Sequence, residues 1–182
     1  NLHLNHHYDH IFITGTNGCV GSHLYSILSD NYPVFKLRRD KNNQYLIKES
    51  EINSKSCLIH FSSKTPTNSE SKEFDINEFH LKSIINQLRD FSKSIDVIFA
   101  SSMAVYDYKL CGEVIYEDSP KTKTNLYGVS KYKCEFILKD FQKKGEIDSF
   151  ISLRLPGVLS PNGKPIHNFL LKALYGIKYN QD

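Results

Sequence analysis

No two cysteines in this sequence stand at C-x-x-C spacing; Cys19, Cys57, Cys111 and Cys134 lie far apart. That argues against a metal knuckle or a disulfide framework and reads as buried, reduced thiols. Long apolar runs are also missing, and none approaches the roughly 18 residues that a membrane helix needs. No charged-then-apolar leader opens the chain, so the expectation is a cytoplasmic protein. Excess charge of one sign is absent: Lys plus Arg number 23 against 20 Asp plus Glu. Nothing in that balance asks for nucleic acid or an anionic membrane as partner. There is no internal repeat and no low-complexity tract.

What is present suits one core: 182 residues, 40% of them hydrophobic, with no room for a second complete domain. His3, His6, His7 and His10 crowd the start. They lack Cys or carboxylate partners at ligand spacing, so residues 1–9 read as a flexible His-rich tail and no metal is expected.

The apolar pattern alternates short buried runs with helical periodicity. Strands are expected at 10–14, 33–37, 57–61, 96–100 and 149–153, with a short further one at 44–47. Helices are expected at 19–29, 75–92 and 125–144, and another could begin at 168–175. Residues 62–72 read as a polar loop. Strands alternating with helices predict an α/β fold, a doubly wound parallel sheet covered on both faces.

Between the first strand and first helix lies Thr14-Gly15-Thr16-Asn17-Gly18-Cys19-Val20-Gly21. Glycine recurs at positions one, four and seven of a window that ends a strand and opens a helix, the context a phosphate-binding turn requires. Gly15 permits the tight turn, Gly18 leaves room for a pyrophosphate, and Gly21 permits close helix packing. The helix N-terminus offers free N–H groups to phosphates. The second strand runs into Arg38, Arg39 and Asp40. An arginine there suits a ribose 2′-phosphate, so the reading leans to NADP over NAD, with Asp40 the alternative partner for an unphosphorylated ribose.

A second cluster lies downstream. Ser101-Ser102 closes a strand, and Tyr127 and Lys131 stand i and i+4 on the following helix, on one face. This spacing suits Tyr127 as a proton donor and acceptor. Its phenol, with an ordinary pKa of about 10, would be drawn down by the Lys131 cation and by a positive nicotinamide ring. Ser102 would hold the substrate oxygen.

Together these motifs resemble the extended short-chain dehydrogenase/reductase family, the group of nucleotide-sugar epimerases, dehydratases and reductases. The likeness spans residues 10–161, the expected NAD(P)-binding Rossmann domain. The glycine segment is similar to the family's T-G-x-x-G-x-x-G, and His60-Phe61-Ser62-Ser63 to its cofactor-contacting strand end. Asn77, at the start of a helix, matches a structural and cofactor-side Asn. Ser101 to Tyr106 resembles S-S-x-x-V-Y, and Tyr127 to Lys131 resembles Y-x-x-x-K. Arg154 to Val158, with Pro156, resembles the stretch that passes the nicotinamide. The resemblance implies NAD or NADP as cofactor, a nucleotide sugar as substrate, and hydride transfer with Ser102, Tyr127 and Lys131 as catalytic residues. The implied cofactor contacts are Gly15, Thr16, Asn17, Gly18, Cys19, Val20, Gly21, Arg38, Phe61, Ser62, Ser63, Asn77, Tyr127, Lys131 and Pro156. A homodimer is an open option by the same analogy.

Three departures qualify the resemblance. Met103 and Ala104 replace the Asp-Glu pair of dehydratases, which argues against a 4,6-dehydratase. Gly157 stands where many epimerases carry Asn. The 38–60 stretch is short enough that one connecting helix is expected to be missing or stunted. Residues 162–182 read as the start of a truncated substrate-binding region, so the expectation is a fragment. A non-catalytic dinucleotide-binding remnant and a dehydrogenase for small carbonyl compounds remain as alternatives.

Overall fold

The computed structural model describes residues 8–40, 42, 45, 47, 54–66, 73–110 and 112–158. Five strands form one parallel sheet in the order β2-β1-β3-β4-β5. They are β1 (His10–Thr14), β2 (Val34–Leu37), β3 (Ser54–His60), β4 (Ser92–Ser102) and β5 (Ser149–Leu155). Three helices connect them: α1 (Cys19–Leu28), α2 (Ile76–Arg89) and α3 (Leu126–Lys143). This is the doubly wound α/β sheet that the sequence predicts.

Burial on both faces explains the near-continuous apolar strands. On one side Leu81, Ile84, Ile85 and Leu88 of α2 and Cys134 and Leu138 of α3 pack on Phe12, Leu58, Val97 and Phe99. On the other, Leu24 and Leu28 of α1 pack against Ile11, Ile13, Cys57 and Ile59. The chain leaves β1 toward β2 and then returns to β1's other side as β3. The carboxyl ends of β1 and β3 therefore flank a crevice at the point where the winding reverses, the place where open α/β sheets bind ligands.

Some boundaries differ from expectation for a physical reason. Strands β3 and β4 begin earlier than their apolar runs, at Ser54 and Ser92, because serine hydroxyls pair across the ladder. Ser56 Oγ lies 2.7 Å from Ser92 Oγ and 3.2 Å from Ser54 Oγ. Ser92 is thereby drawn into β4 and α2 ends at Arg89. Where a further strand was expected at 44–47, Tyr45 makes a single antiparallel bridge with Arg39; Gln44 and Leu46 lie outside the described residues. Between Leu37 and Ser54 no helix occurs among the described residues. Of the expected tail, Tyr8 and Asp9 are described and held. The Tyr8 hydroxyl donates to Asp96 at 2.9 Å and Asp9 accepts from the Lys55 amide at 2.7 Å. The 162–182 region and the helix expected at 168–175 lie outside the described residues.

Candidate active site

The glycine turn follows β1 directly. Gly15 has φ +73, a left-handed conformation that favours glycine, and a Cβ there would stand 2.7 Å from the Phe61 carbonyl carbon and the Ser62 nitrogen. A Cβ on Gly21 would stand 2.4 Å from the Gly15 oxygen, so Gly21 lets α1 close onto the turn itself. Gly18, the N-cap of α1, has ordinary extended backbone; a Cβ on it would meet only the Gly15 oxygen, at 3.2 Å. That side of the turn is open, and no side chain caps α1. Its first-turn N–H groups are left to an outside acceptor. Thr16 is buried, Asn17 is exposed, and Cys19 and Val20 are half-buried.

Beyond the turn, Gly15, Thr16, Asn17, Arg38, Asp40 and Ser62 are among the residues lining a cleft of about 370 Å³. Arg38 is exposed at its mouth. The Arg39 guanidinium rests on His80, 3.0 Å from Nδ1, while Asp40 accepts from the Asn42 amide at 2.8 Å. Two roomier grooves, about 610 and 690 Å³, lie on the outside of α2 and along β5; neither is lined by Ser102, Tyr127 or Lys131.

At the carboxyl end of β4, Ser102 Oγ accepts from the Ala104 amide at 3.1 Å. Asn125 caps α3 by accepting from the Gly128 amide at 3.0 Å, which starts the helix one residue before Tyr127. The Tyr127 ring packs edge-on to Phe74, 5.7 Å between centroids. Burial raises its phenol above the ordinary value, opposed by hydrogen bonding to the Ser102 and Ser63 hydroxyls. This corrects the expected direction. The reason is where Lys131 points: its Nζ donates to the Ala100 carbonyl at 2.7 Å and lies 5.9 Å from the Tyr127 ring centre. Burial pushes Lys131 itself down to about 8.

The loop after β3 joins the two halves. The Ser62 amide donates to Thr14 Oγ1 at 3.0 Å, Phe61 and Ser62 abut Gly15, and the Ser63 hydroxyl helps draw the Tyr127 phenol down. One loop thus has Ser62 at the glycine turn and Ser63 acting on the Tyr127 phenol. Asn77, read as a cofactor contact, is spent on this loop: it accepts from the Lys64 amide at 2.7 Å and donates to the Lys64 carbonyl at 3.1 Å. Pro156 is exposed just past β5.

Sequence reasoning did not find three supports of the site. A Cβ on Gly128 would stand 1.9 Å from the Ala104 oxygen, so this glycine lets α3 press on the turn after Ser102. Glu135 and Arg154 form a buried two-pronged ion pair at 3.0 and 2.7 Å, and Ser101 donates to the same carboxylate at 2.6 Å. The pair binds α3 to the ends of β4 and β5. Tyr45 is almost wholly buried beside the cleft. Spacing along the chain carries no signal for such long-range contacts. No cluster able to hold a metal occurs among the described residues, and no described helix is long and apolar enough to cross a membrane.

Comparison with known proteins gives three kinds of likeness. A family model described as "NAD dependent epimerase/dehydratase family" matches residues 11–179. D-erythronate dehydrogenase of Haemophilus influenzae is 29% identical over 92 residues, covering 50% of this chain and 29% of that protein. UDP-N-acetylglucosamine 4-epimerase from Bacillus cereus superposes with TM-score 0.71 at 22% identity, covering 92% of this chain and 61% of that one. UDP-glucose 4-epimerase of Thermus thermophilus, solved with NAD, gives 0.67 at 18% identity, covering 93% and 64%. The match therefore spans under a third of the curated relative's length and under two thirds of each of these solved chains.

Proposed function

Because this chain belongs to the NAD-dependent epimerase/dehydratase family, we propose that it binds a nicotinamide dinucleotide in the β1/β3 crevice. There it takes part in hydride transfer to or from a nucleotide-sugar carbon, as an epimerase or a keto-sugar reductase. The observation that carries this reading is the loop 61–64: Phe61 and Ser62 abut the glycine turn, and the Ser63 hydroxyl is among the groups that draw the Tyr127 phenol down against burial. The crevice fits the cofactor: the open Gly18 side and the uncapped α1 suit a pyrophosphate, and the buried Lys131 ammonium, on the Ala100 carbonyl and over the Phe99 ring, has no carboxylate partner among the described residues.

The nicotinamide ring would supply the hydride acceptor and donor. This chain's residues handle the proton. With its pKa raised, Tyr127 rests as a neutral phenol, the form that donates to a developing alkoxide. For it to act as a base, positive charge must come close; Lys131 reaching away from the Ala100 carbonyl toward the phenol would provide it. Ser102 and Ser63 orient the phenol. Met103 and Ala104 offer no acid or base, which disfavours dehydration. The exposed Arg38 and the occupied Asp40 carboxylate favour NADP over NAD. Outward Phe79 and Phe136 on α2 and α3 are the feature that favours a homodimer, and buried thiols at Cys57 and Cys134 favour a cytoplasmic location.

The test is Tyr127→Phe in the protein carrying its full substrate region. Turnover of a nucleotide sugar should vanish while dinucleotide affinity stays within a few-fold; undiminished turnover removes Tyr127 from the mechanism. A second reading is favoured by the likeness to D-erythronate dehydrogenase: oxidation of a small hydroxy acid by the same residues. Dinucleotide reduction with sugar acids but not with nucleotide sugars would select it. Binding without turnover of either would select a non-catalytic role.

A further inference from the structure

Tyr45 carries an inference about how the adenosine half of the dinucleotide is held, and it rests on the dinucleotide-binding reading above. The residue is 4% exposed, yet no group among the described residues meets its buried hydroxyl oxygen at hydrogen-bonding geometry. Native proteins seldom leave such a group unmet, because each costs stability relative to a methyl-sized apolar replacement. The Ser62 and Thr14 hydroxyls lie close enough to draw its phenol down against the rise that burial imposes, without forming a bond of that geometry. Thr14 Oγ1 is already engaged by the Ser62 amide at 3.0 Å and by His60 Nδ1 at 3.0 Å.

The local chain explains how the ring arrives there. Asp40 accepts from the Asn42 amide just after β2, and Tyr45 is held by an antiparallel bridge to Arg39. The ring then lies edge-on between His60 and His80, at 6.3 and 6.2 Å between centroids. Burial and neighbouring cations hold both imidazoles neutral, at about 3 and about 4. A ring wedged this way does not rotate its hydroxyl out to water. The same cleft is lined by Gly15, Thr16, Asn17 and Arg38, and the end of the second strand is where this sheet type receives an adenosine ribose.

We propose that Tyr45 is a cofactor-binding residue whose hydroxyl hydrogen-bonds an oxygen of the adenosine ribose, either its free 2′-hydroxyl or a phosphate ester at that position.

The experiment compares the wild-type chain with Tyr45→Phe, titrating each with NADH, NADPH, ADP-ribose and nicotinamide mononucleotide, and measures the thermal midpoint of each without ligand. The substitution should weaken ADP-ribose and the better-bound dinucleotide by roughly 3- to 10-fold, the loss of one hydrogen bond. Nicotinamide mononucleotide should be unaffected. The larger loss falling on NADH assigns the partner as a hydroxyl, and on NADPH as a phosphate. The unliganded midpoint should stay level or rise, since a buried unmet oxygen has been removed. Unchanged ADP-ribose affinity overturns the proposal, and so does a lowered midpoint with equal losses for both halves, which would make the hydroxyl structural. Failure of the wild-type chain to bind any dinucleotide would instead reject the underlying reading.

Discussion

Lys131 and Ala100 are joined by a hydrogen bond of 2.7 Å from the ammonium to the carbonyl oxygen, with Lys131 only 2% exposed. A cation is thus buried on a neutral partner at the end of β4, beside the proposed acid/base tyrosine. Such an arrangement is held at a cost in stability, and that cost has a pH signature.

Burial lowers the Lys131 pKa from 10.5 to about 8. Between those values the unfolded chain binds a proton that the folded chain does not, so stability rises with pH across that window. Below about pH 8 both states are charged and the burial penalty is felt in full. Denaturant unfolding at pH 7.5 and 9.5, compared between wild type and Lys131→Met, isolates this contribution from other groups. The wild type should gain up to about 1.4 kcal/mol per pH unit over the variant. Equal pH dependence in the two proteins would place the ammonium in water.

Gly128 is a helix residue, and Gly→Ala inside a helix ordinarily gains up to about 1 kcal/mol. Here the added carbon would stand 1.9 Å from the Ala104 oxygen, a backbone atom that no rotamer change can move. Overpacking against backbone costs about 1–3 kcal/mol, so the clash should win and Gly128→Ala should lower the unfolding midpoint. A raised midpoint would mean that α3 does not press on the turn after Ser102.

Glu135 and Arg154 have side chains only 10% and 19% exposed. Removing one partner strands the other, so Glu135→Gln or Arg154→Met should each cost about 3 kcal/mol. The double change Glu135→Leu with Arg154→Met should cost less than the sum of single changes at the two positions, because no charge is left unpaired. Additive losses in a double-mutant cycle would show that the pair is solvated.

Much of this arrangement was legible because it is local. The strand, glycine turn and helix over 10–28 lie within one stretch of chain, and the i, i+4 pair Tyr127 and Lys131 needs only helical geometry. The parallel sheet followed from apolar runs alternating with helical periods. What escaped depends on partners far along the chain. Lys131 meets Ala100 across 31 residues, Glu135 meets Arg154 across 19, and Arg39 rests on His80 across 41. The wrong sign for the Tyr127 pKa has that origin: helical spacing placed Lys131 near the ring and could not say that its ammonium turns to a carbonyl. Asn77 was read as both structural and cofactor-side, and the partner of its amide, Lys64, lies 13 residues away. The early starts of β3 and β4 rest on paired serines, which an apolar pattern does not register.

The central claim is that the crevice between β1 and β3 receives a dinucleotide. The most direct measurement is a calorimetric titration of the chain with NADPH and NADH, repeated on Gly15→Val. That substitution adds bulk against Phe61 and Ser62 at a left-handed residue, and circular dichroism should establish that the variant remains folded. Saturable one-to-one binding by the wild type, lost in the folded variant, is the predicted result. A folded wild-type chain that binds neither dinucleotide, or a folded Gly15→Val that binds as well, would contradict it.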